Sequence, residues 1–410
     1  MEQRYPTQIS MEEGMGLLLS AAVPMDKEEV RLLDASGRVL ACDVAAMEDI
    51  PPFDRSPLDG YAVRAADIAA AGEDSPVTLK IIGEVPAGYV AERGPQEGEA
   101  VKILTGAPIP EGADVVVRYE DTSFTEEEVI LYQAMASGSN IVRAGEDVRA
   151  GQIVMTRGDI LNAARIGVLA GLGYERVTVY KRPVVKILST GDELVPVTEK
   201  LRPGKIRNSS AYMLRAFLQS WGMEAQICGI VKDDQKAIQE AIEACAEGAD
   251  CVITTGGASA SDRDLVLPAL EAAGAQILFW KVRMKPGMAT IAAQKKGTLV
   301  LGLSGNPSAA VAALFALCLP AFRKMCGRKD HQLPMIRAIM PEGFEKKSPG
   351  GRVLPGRLEI RGTTPCFITQ KRQANGMISP WSDCDLIGII PRGSGPLEKG
   401  CVIEAYSLVT

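Results

Sequence analysis

The sequence contains few of the residues that form the commonest metal and redox sites. It has a single histidine, His331, which excludes a metal site built from several histidines. Its nine cysteines are scattered and form no C-x-x-C pair, so neither a zinc site nor a disulfide framework is expected. No apolar run reaches about 18 residues, and the beginning of the sequence has no apolar signal region. These absences predict a cytoplasmic protein with no transmembrane helix.

Excess positive charge is also absent. The formal net charge is −6 at pH 7, which argues against general binding to nucleic acid. An anionic ligand would therefore be held by local lysine, arginine and backbone N–H groups. With 410 residues, 46% of them hydrophobic and 23% charged, the chain is a globular protein of about two to four domains.

Residues 183–310 repeat one arrangement three times: a short apolar run ends in a glycine-rich polar loop, and a helical pattern follows. The three loops are Ser189–Glu193, Thr254–Ser259 and Gly302–Pro307. In a parallel α/β sheet such loops lie at the carboxyl ends of the strands, where open sheets bind ligands. Their small residues let backbone N–H groups approach a phosphate, and the following helix adds its dipole. The pattern predicts an anionic, nucleotide-like ligand.

The segment 179–328, which contains these loops, alternates predicted strands and helices. This spacing is typical of right-handed crossovers and a mostly parallel sheet. The predicted helices cover 162–172 just before the segment and, within it, 210–221, 234–247, 264–273 and 307–325. The predicted strands cover 225–231, 251–255, 277–283 and 298–303.

The flanking regions have different patterns. Helices are expected over Ser10–Ala22, where Ser10 and Glu13 form a capping box, and again over Lys27–Leu40. Residues 46–146 carry short β-rich runs between proline and glycine turns, which predicts a small β-rich domain. Residues 329–410 return to this patterning, which suits a small β-barrel or sandwich.

Three turns before the α/β segment present polar side chains. In Pro51–Ala62, prolines fix an extended entry and Asp59-Gly60 favours a turn, while Thr105–Pro108 is a short turn between strands. In Asn140–Asp147, Arg143 stands beside two acids. Each turn either presents a functional side chain or only caps itself and pairs ions at the surface. The pattern leaves both interpretations open.

The loops of the α/β segment carry further charges. Asp192 and Glu193 stand just past a strand end, where carboxylates are well placed to hold Mg²⁺ beside a phosphate. Asp264 is either a second metal ligand or the N-cap of the next helix. In a strand, Lys281, Arg283 and Lys285 would share one face, where three cations can bind a phosphate or oxyanion. A solvated edge is the alternative for these cations.

These motifs occur together in one order, and the combination resembles the MoeA family, the molybdopterin molybdenumtransferases, to which the E domain of gephyrin is related. The resemblance covers essentially the whole chain. The matching stretches are Phe53–Ala62, Ser189–Leu194, the Gly256-Gly257 loop with Asp264, Lys281–Gly287 and Gly302–Pro307.

The resemblance implies a multidomain α/β fold. Its doubly wound, mostly parallel α/β domain would cover 179–328, and a β-rich insertion domain 46–146. An elongated mixed N-terminal domain would combine 1–45 with 147–178, and a C-terminal β-barrel would cover 329–410. A homodimer is implied, with the active site between the α/β domain of one subunit and the β-rich domain of the other.

The implied reaction belongs to molybdenum cofactor biosynthesis. Molybdate enters adenylated molybdopterin, the pyrophosphate bond is cleaved with the help of Mg²⁺, and AMP leaves. Molybdopterin adenylyltransferase and recipient molybdoenzymes are the implied protein partners. No nucleophilic side chain is needed, because positioning and electrostatic stabilisation can support the cleavage.

The family's functional positions map onto this sequence residue by residue. Glu193 and Asp264 match acidic positions that would hold Mg²⁺. The implied catalytic residues are Asp59, Asp147, Glu193, Asp264, Lys281 and Lys285. The implied substrate-binding residues are Thr105, Thr190, Gly191, Asn208, Gly256, Gly257, Ser259, Gly305, Asn306 and Pro307.

The chain departs from the family pattern at positions around the implied site. Asn208 stands for an acid, Met288 for a cation and Ser304 for a proline, while Ser261 and Asp262 alter the second loop. These changes leave open a divergent paralogue that binds nucleotide or pterin without inserting molybdate, or that uses tungstate. A gephyrin-like scaffold is the alternative from another functional class.

Overall fold

The computed structural model describes residues 5–258, 264–370 and 374–408. The chain forms two compact units, and it passes between them several times. Unit 1 comprises Met1–Cys42, Arg157–Asn162 and Arg176–Thr410, and unit 2 comprises Asp43–Thr156 and Ala163–Glu175. The division into four domains that the resemblance implies remains a prediction.

The described part of the chain is built mainly from strands, with short helices between them. The α-helices are α1 Met11–Ala21, α2 Ala163–Gly171, α3 Ser210–Ser220, α4 Gln235–Ala246, α5 Val266–Ala272, α6 Pro307–Ala313 and α7 Leu319–Met325. The first strands are β1 Thr7–Ile9, β2 Lys27–Arg31, β3 Val44–Ala45, β4 Gly60–Val63, β5 Val77–Val85, β6 Glu99–Ile103, β7 Val115–Arg118, β8 Thr122–Phe124, β9 Glu128–Leu131 and β10 Ile153–Met155. Those of the α/β region are β11 Arg176–Tyr180, β12 Val184–Thr190, β13 Leu194–Val195, β14 Ile206–Arg207, β15 Glu224–Val231, β16 Cys251–Thr255, β17 Gln276–Val282, β18 Met284–Lys285, β19 Ile291–Lys295 and β20 Thr298–Leu303. The last strands are β21 Met335–Met340, β22 Gly351–Arg361, β23 Thr364–Thr369, β24 Leu386–Ile390 and β25 Cys401–Ser407.

A seven-stranded sheet forms the centre of unit 1, with the strand order β1-β17-β19-β20-β16-β12-β15. Neighbouring strands are parallel except at β19, which is antiparallel to β17 and β20. Along β16 and β20, successive residues enter different cores: Ile253 and Leu301 pack with α3 and α6, while Val252 and Val300 pack with α4 and α5. Helices therefore cover both faces, and the predicted doubly wound, mostly parallel sheet is confirmed.

Strand β19 was not anticipated. It forms a hairpin with β20, in which Lys295 pairs with Thr298 and the turn is Lys296-Gly297. Both turn residues have positive φ, at 49° and 90°, as a two-residue turn that matches the strand twist requires. The short run Ile291–Lys295, which has three apolar residues in succession, gives little sequence signal of its own.

Among the described residues, one helical segment, Pro307–Met325, is long and apolar enough to cross a membrane by length and composition, but 89% of its apolar window is buried inside the protein. It consists of α6, a π-helical turn at Leu314–Cys318, and α7. Every residue from Ser308 to Ala313 is buried, as the small side chains of this stretch predict. The segment is a core helix of unit 1.

Helix α1 begins with the predicted capping box. The backbone N–H of Glu13 donates to Ser10 Oγ over 3.1 Å, and the backbone N–H of Ser10 donates to the Glu13 carboxylate over 2.7 Å. These bonds satisfy two donors that the first turn of a helix leaves without partners.

Ser10→Ala is expected to lower the free energy of unfolding by about 1 kcal/mol, because the N-cap acceptor is lost. Urea denaturation measures the change. Ser20→Ala is the matched control, since its hydroxyl only donates back to the Gly16 carbonyl of the same helix. Equal losses in the two variants would contradict a specific role of the cap.

The prediction of a helix over Lys27–Leu40 is wrong. Its first part is strand β2, which pairs with β11 in antiparallel register from Lys27↔Tyr180 to Arg31↔Arg176. A short 3₁₀ turn, Leu32–Asp34, follows. Pairing with a strand far along the chain outweighs the local helical pattern, because tertiary context overrides weak propensity.

The last five strands form the closed barrel that was one of the two expected arrangements. They pair in the ring β22-β23-β21-β25-β24, and β24 returns to β22. Phe367 is buried in the barrel, where a Cβ at Gly356 would lie 2.4 Å and a Cβ at Gly388 2.9 Å from its ring. Glycine at these two positions makes room for the ring.

Unit 2 contains a six-stranded sheet with the order β7-β4-β6-β5-β9-β8. Its strands lie within the region 46–146 that was expected to be β-rich, and the helix expected at 162–172 is α2. The sheet packs a core that includes Tyr61, Val117 and Leu131. This arrangement places the turns before β4 and after β6 together, as described below.

Candidate functional site

The three glycine-rich loops of unit 1 meet around one pocket at the carboxyl ends of β12, β16 and β20. We call it the loop pocket; its volume is about 570 Å³. It brings together nine of the predicted catalytic and substrate-binding residues: Thr190, Gly191, Glu193, Gly256, Gly257, Asp264, Gly305, Asn306 and Pro307. The prediction that separate loops converge at one edge of the sheet is therefore matched by the geometry.

Glycines allow these loops to approach one another closely. At Gly256, φ is +99° and a Cβ would lie 2.4 Å from the Thr190 carbonyl oxygen. A Cβ at Gly305 would lie 3.3 Å from the Cα of Gly256. The contact between the first two loops therefore requires the absence of a side chain at position 256.

A hydroxyl group is buried at the wall of the loop pocket. Thr190 is 3% exposed, and within the described residues its Oγ1 atom has no hydrogen-bond partner. Buried polar groups are nearly always hydrogen-bonded to protein, water or a ligand. The Thr190 hydroxyl is thus a buried polar group beside the loop pocket whose hydrogen-bond partner is not among the described residues.

Of the residues that the structure describes, three carboxylates line the loop pocket: Glu193, Asp264 and Asp233. Asp233 was missed in the sequence, although it also follows a strand end, that of β15. Its carboxylate accepts the backbone N–H of Asp192 over 3.3 Å, and its own N–H donates to Asp192 over 3.4 Å. Arg207 contributes a cation to the same lining.

Within the described ranges, no cluster of three His, Cys, Asp or Glu side chains is close enough to form a metal site by itself. Mg²⁺ does not need such a cluster, since it keeps several waters and binds through one or two carboxylates plus substrate phosphates. Glu193 and Asp264 on one pocket fit that requirement. A Cβ at Gly191 would lie 2.6 Å from Glu193 Oε2, so glycine there lets the carboxylate fold over the loop.

Asn208 does not line the loop pocket. It is 4% exposed, and its amide donates to Ser189 Oγ over 2.9 Å. The same Ser189 oxygen accepts the Thr255 hydroxyl over 2.9 Å. Ser189 therefore joins the first two loops, and Asn208 supports Ser189 without lining the pocket. The substrate-binding role of Asn208 stays a prediction that this geometry does not support.

A second pocket of unit 1, of about 550 Å³, shares Ser304 and Asn306 with the loop pocket. We call it the lysine pocket, because Lys285 lines it together with Arg283 and Arg352. Met288 and Ser304, two of the departures from the family pattern, also line it. Its cations suit an oxyanion next to the ligand of the loop pocket.

The prediction that Lys281, Arg283 and Lys285 alternate on one strand is wrong. Strand β17 ends at Val282, and Lys285 belongs to β18, which pairs with β22 of the barrel. Lys281 has a φ of +65°, which breaks the alternation, and its Nζ lies 3.9 Å from the centroid of the Trp280 ring. Lys281 lines neither the loop pocket nor the lysine pocket.

In unit 2, Asp59 and Thr105 lie together. The Asp59 carboxylate accepts the backbone N–H and the hydroxyl of Thr105, each over 2.7 Å. These two bonds hold the pKa of Asp59 below its ordinary value. The turns around the two residues thus form one rigid polar site, with an ionised carboxylate at its surface.

The Asn140–Asp147 turn is also held by an ion pair. Arg143 donates to the Asp54 carboxylate over 2.5 Å, and the backbone N–H of Ala144 donates to it over 2.8 Å. Asp147 is exposed, and its backbone N–H donates to the Ile50 carbonyl over 3.0 Å. Asp54 thus acts as a structural link, while the role of Asp147 stays a prediction.

Thr105→Val is expected to raise the pKa of Asp59, though not fully to its ordinary value, because the amide donor remains. A ¹³C titration of the carboxyl measures the shift. Since the folded pKa is lowered, the stability that this bond contributes is present above the ordinary pKa. It is lost as the pH falls through the folded pKa. Thr78→Val, at an exposed position of β5, is the control; an unchanged Asp59 pKa in the Thr105 variant would contradict the assignment.

Ser259, Ser261 and Asp262 lie outside the described residues. Ser259 is one of the predicted substrate-binding residues, and the other two are departures from the family pattern.

Two family models match the chain. The MoeA N-terminal region (domain I and II) matches residues 9–173, and a probable molybdopterin binding domain matches residues 186–324. The second match contains all three loops of the loop pocket.

The relatives match along almost the whole chain. The molybdopterin molybdenumtransferase of Staphylococcus aureus is 33% identical over 404 residues, which are 98% of this chain and 96% of that protein. The enzyme of the same name from Staphylococcus epidermidis is 32% identical over the same coverage. Crystal structures of the molybdopterin biosynthesis MoeA protein from Pyrococcus horikoshii give TM-scores of 0.85 and 0.84 at 30% identity, covering 98% and 97% of this chain and 99% of each of those chains.

The doubly wound sheet with its three-loop pocket, the closed barrel and the β-rich unit define the class of molybdopterin biosynthesis proteins. The chain belongs to the MoeA family, the molybdopterin molybdenumtransferases. The family resemblance seen in the sequence is confirmed.

Proposed function

We propose that this chain is an active molybdopterin molybdenumtransferase of molybdenum cofactor biosynthesis. It inserts molybdate into adenylated molybdopterin, and the pyrophosphate bond of that substrate is cleaved with release of AMP. The loop pocket supports this proposal most directly. It combines glycine-lined backbone, carboxylates and, at Thr190, a buried hydroxyl with no hydrogen-bond partner among the described residues. These groups lie at the point where a parallel sheet binds nucleotides.

The loop pocket would bind the nucleotide part of the substrate. Backbone N–H groups at Gly256, Gly257 and Gly305 can approach phosphate oxygens because no side chain intervenes. The Thr190 hydroxyl would complete this contact. Glu193 and Asp264 would hold Mg²⁺. When bound there, Mg²⁺ would neutralise part of the negative charge of the pyrophosphate.

The lysine pocket would hold molybdate next to this site. Lys285 binds an oxyanion as a point charge, while Arg283 and Arg352 offer planar guanidinium groups. Lys281 would contribute charge from outside the pocket lining. Asp59 and Asp147, both on unit 2, are proposed as further catalytic carboxylates, and Thr105 would orient Asp59.

We further propose a cytoplasmic homodimer. It would receive adenylated molybdopterin from a molybdopterin adenylyltransferase and pass the finished cofactor to recipient molybdoenzymes. Size-exclusion chromatography with light scattering tests the dimer, and a stable monomer at micromolar concentration would exclude it.

The direct test mixes the purified protein with adenylated molybdopterin, Mg²⁺ and molybdate, and measures AMP release. Release that depends on both molybdate and Mg²⁺ is expected. The control omits molybdate, and a parallel reaction replaces it with tungstate. Tight binding of the adenylated pterin without AMP release in either reaction would overturn the proposal.

A further inference from the structure

Two thiols lie together at one edge of the central sheet of unit 1. Cys228 is on β15 and Cys245 is on α4, and the Cys245 thiol is in hydrogen-bonding contact with the Cys228 thiol. All nine cysteines lie within the described residues. Cys42 and Cys228 are the two exposed ones, whereas Cys245 is buried. We call Cys228 and Cys245 the thiol pair; neither residue lines the loop pocket or the lysine pocket.

A β-bulge sets the position of Cys228. In the parallel register of β12 and β15, Ile187 pairs with Ile227 and Leu188 pairs with Gly229. Cys228 is therefore an extra residue without a partner on β12, as in a β-bulge. Ile227 packs with the core on the α3 side of the sheet, so the next residue faces the α4 side. Strand β15 is also the last strand of its sheet, which leaves Cys228 open to solvent.

Helix α4 places the second thiol over this strand. Cys245 lies in the last turn of the helix and packs in the same buried core as Ile242. Lys186, which pairs with Gln226 across the sheet, donates to the Glu247 carbonyl oxygen over 2.6 Å. The carboxyl end of α4 is therefore fixed above the positions of β12 and β15 that adjoin the bulge.

The two thiols differ in their chemistry. Burial raises the pKa of Cys245 to about 12; the hydrogen bond with Cys228 adds to this rise, and the charge of Lys186 opposes it. Cys245 is therefore protonated and shielded from reagents in solution, while Cys228 is accessible to them. An accessible thiol next to a second cysteine is the arrangement that reversible redox pairs use.

We propose that Cys228 and Cys245 form a reversible disulfide, in which Cys228 reacts first and Cys245 resolves the product. The oxidant is a low-molecular-weight disulfide. The Cys228 thiolate attacks one of its sulfur atoms, the S–S bond breaks, and the first small thiolate leaves and takes up a proton. Cys245 loses its proton to water and attacks Cys228 Sγ, and the second small thiolate leaves and is protonated. Two protein thiols are oxidised, and the small disulfide is reduced to two thiols.

The disulfide would join the two elements that flank Asp233, a carboxylate of the loop pocket. Strand β15 ends at Val231 and α4 begins at Gln235, so the link would tether both sides of the loop that carries Asp233. In a protein that we propose to be cytoplasmic, such a disulfide would be transient and would respond to the redox state. The proposal does not depend on the transferase activity, because the bond itself can be detected by mass.

Peptide mass analysis of the purified full-length protein tests the proposal. The folded protein is incubated with oxidised glutathione, the remaining thiols are alkylated, and the protein is digested. A peptide pair joined through Cys228 and Cys245 is expected, and dithiothreitol is expected to separate it. Cys245→Ala is expected to lose this link and to retain glutathione on Cys228. Cys228→Ser, at an exposed position, is expected to lose both the link and the adduct.

Cys42→Ser is the matched control, because it removes the other exposed thiol, and it is expected to keep the link. If Cys245→Ala does not fold, the comparison of Cys228→Ser with Cys42→Ser still decides the outcome. A wild-type protein that carries only glutathione on Cys228, as expected for Cys245→Ala, would overturn the proposal. Absence of any reaction at both cysteines of the pair would overturn it as well.

Discussion

Glu193→Gln and Asp264→Asn are each expected to lower the rate of molybdate-dependent AMP release about 100-fold. Both carboxylates line the loop pocket. The substitutions keep the shape of the side chains but remove the negative charge that would hold Mg²⁺ against the pyrophosphate. Loss of one pre-organised electrostatic group in an active site has this size of effect in other enzymes. The measurement is AMP release as a function of Mg²⁺ concentration.

Glu271→Gln is the control for these variants. It removes the same charge from an exposed position of α5 that does not line the loop pocket, and its rate is expected to equal that of the wild type. The two loop-pocket variants should also need more Mg²⁺ for half-maximal rate. A variant that retains the wild-type rate and the wild-type Mg²⁺ dependence would remove its carboxylate from the proposed metal site.

Gly256→Ala is expected to lower the free energy of unfolding by about 3 kcal/mol and to weaken binding of the adenylated pterin. An alanine Cβ would lie 2.4 Å from the Thr190 carbonyl oxygen and 2.7 Å from its Oγ1. The two loops must separate to admit the methyl group, and the backbone at φ +99° is strained for any L-residue. Denaturation with urea and titration with the substrate measure the two effects.

Gly297→Ala separates the two causes. Gly297 has a φ of +90°, but a Cβ there would meet nothing within 4 Å. Gly297→Ala is therefore expected to lower the free energy of unfolding only through backbone strain, by about 1 kcal/mol. If both variants lose the same stability, the close approach of the loops at Thr190 is not what glycine provides at position 256.

The three loops of the loop pocket could be placed from the sequence because each is specified locally. An apolar run, a glycine-rich turn and a helical start follow one another within a few residues, and parallel topology then brings the turns to one edge. The capping box of α1 is specified in the same local way by Ser10 and Glu13. Features that depend on neighbouring residues were therefore predicted well.

The sequence did not predict features that depend on pairing between strands far apart in the chain, or on the backbone conformation of a single residue. The segment around Lys27–Arg31 has a helical pattern, yet it becomes a strand because β11 supplies its partner. The expected face of Lys281, Arg283 and Lys285 assumed an unbroken strand, whereas Lys281 adopts a φ of +65°. Asn208 illustrates a third limit, since no pattern indicates whether a polar side chain enters a pocket or bonds to Ser189 behind it.

The discontinuous composition of the two units has a consequence for how the chain matures during its synthesis. Unit 2 is complete once residue 175 has been made, whereas strand β1 needs β17, in which Thr7 pairs with Trp280. At translation rates of about 5–20 residues per second, strand β17 is synthesised roughly 5–20 s after residue 175. During that interval the first residues of the chain have no sheet to join, while unit 2 can already form its own. A ribosome-bound chain from which residue 175 has just left the exit tunnel would therefore resist proteolysis within unit 2 and be cleaved in the residues before it.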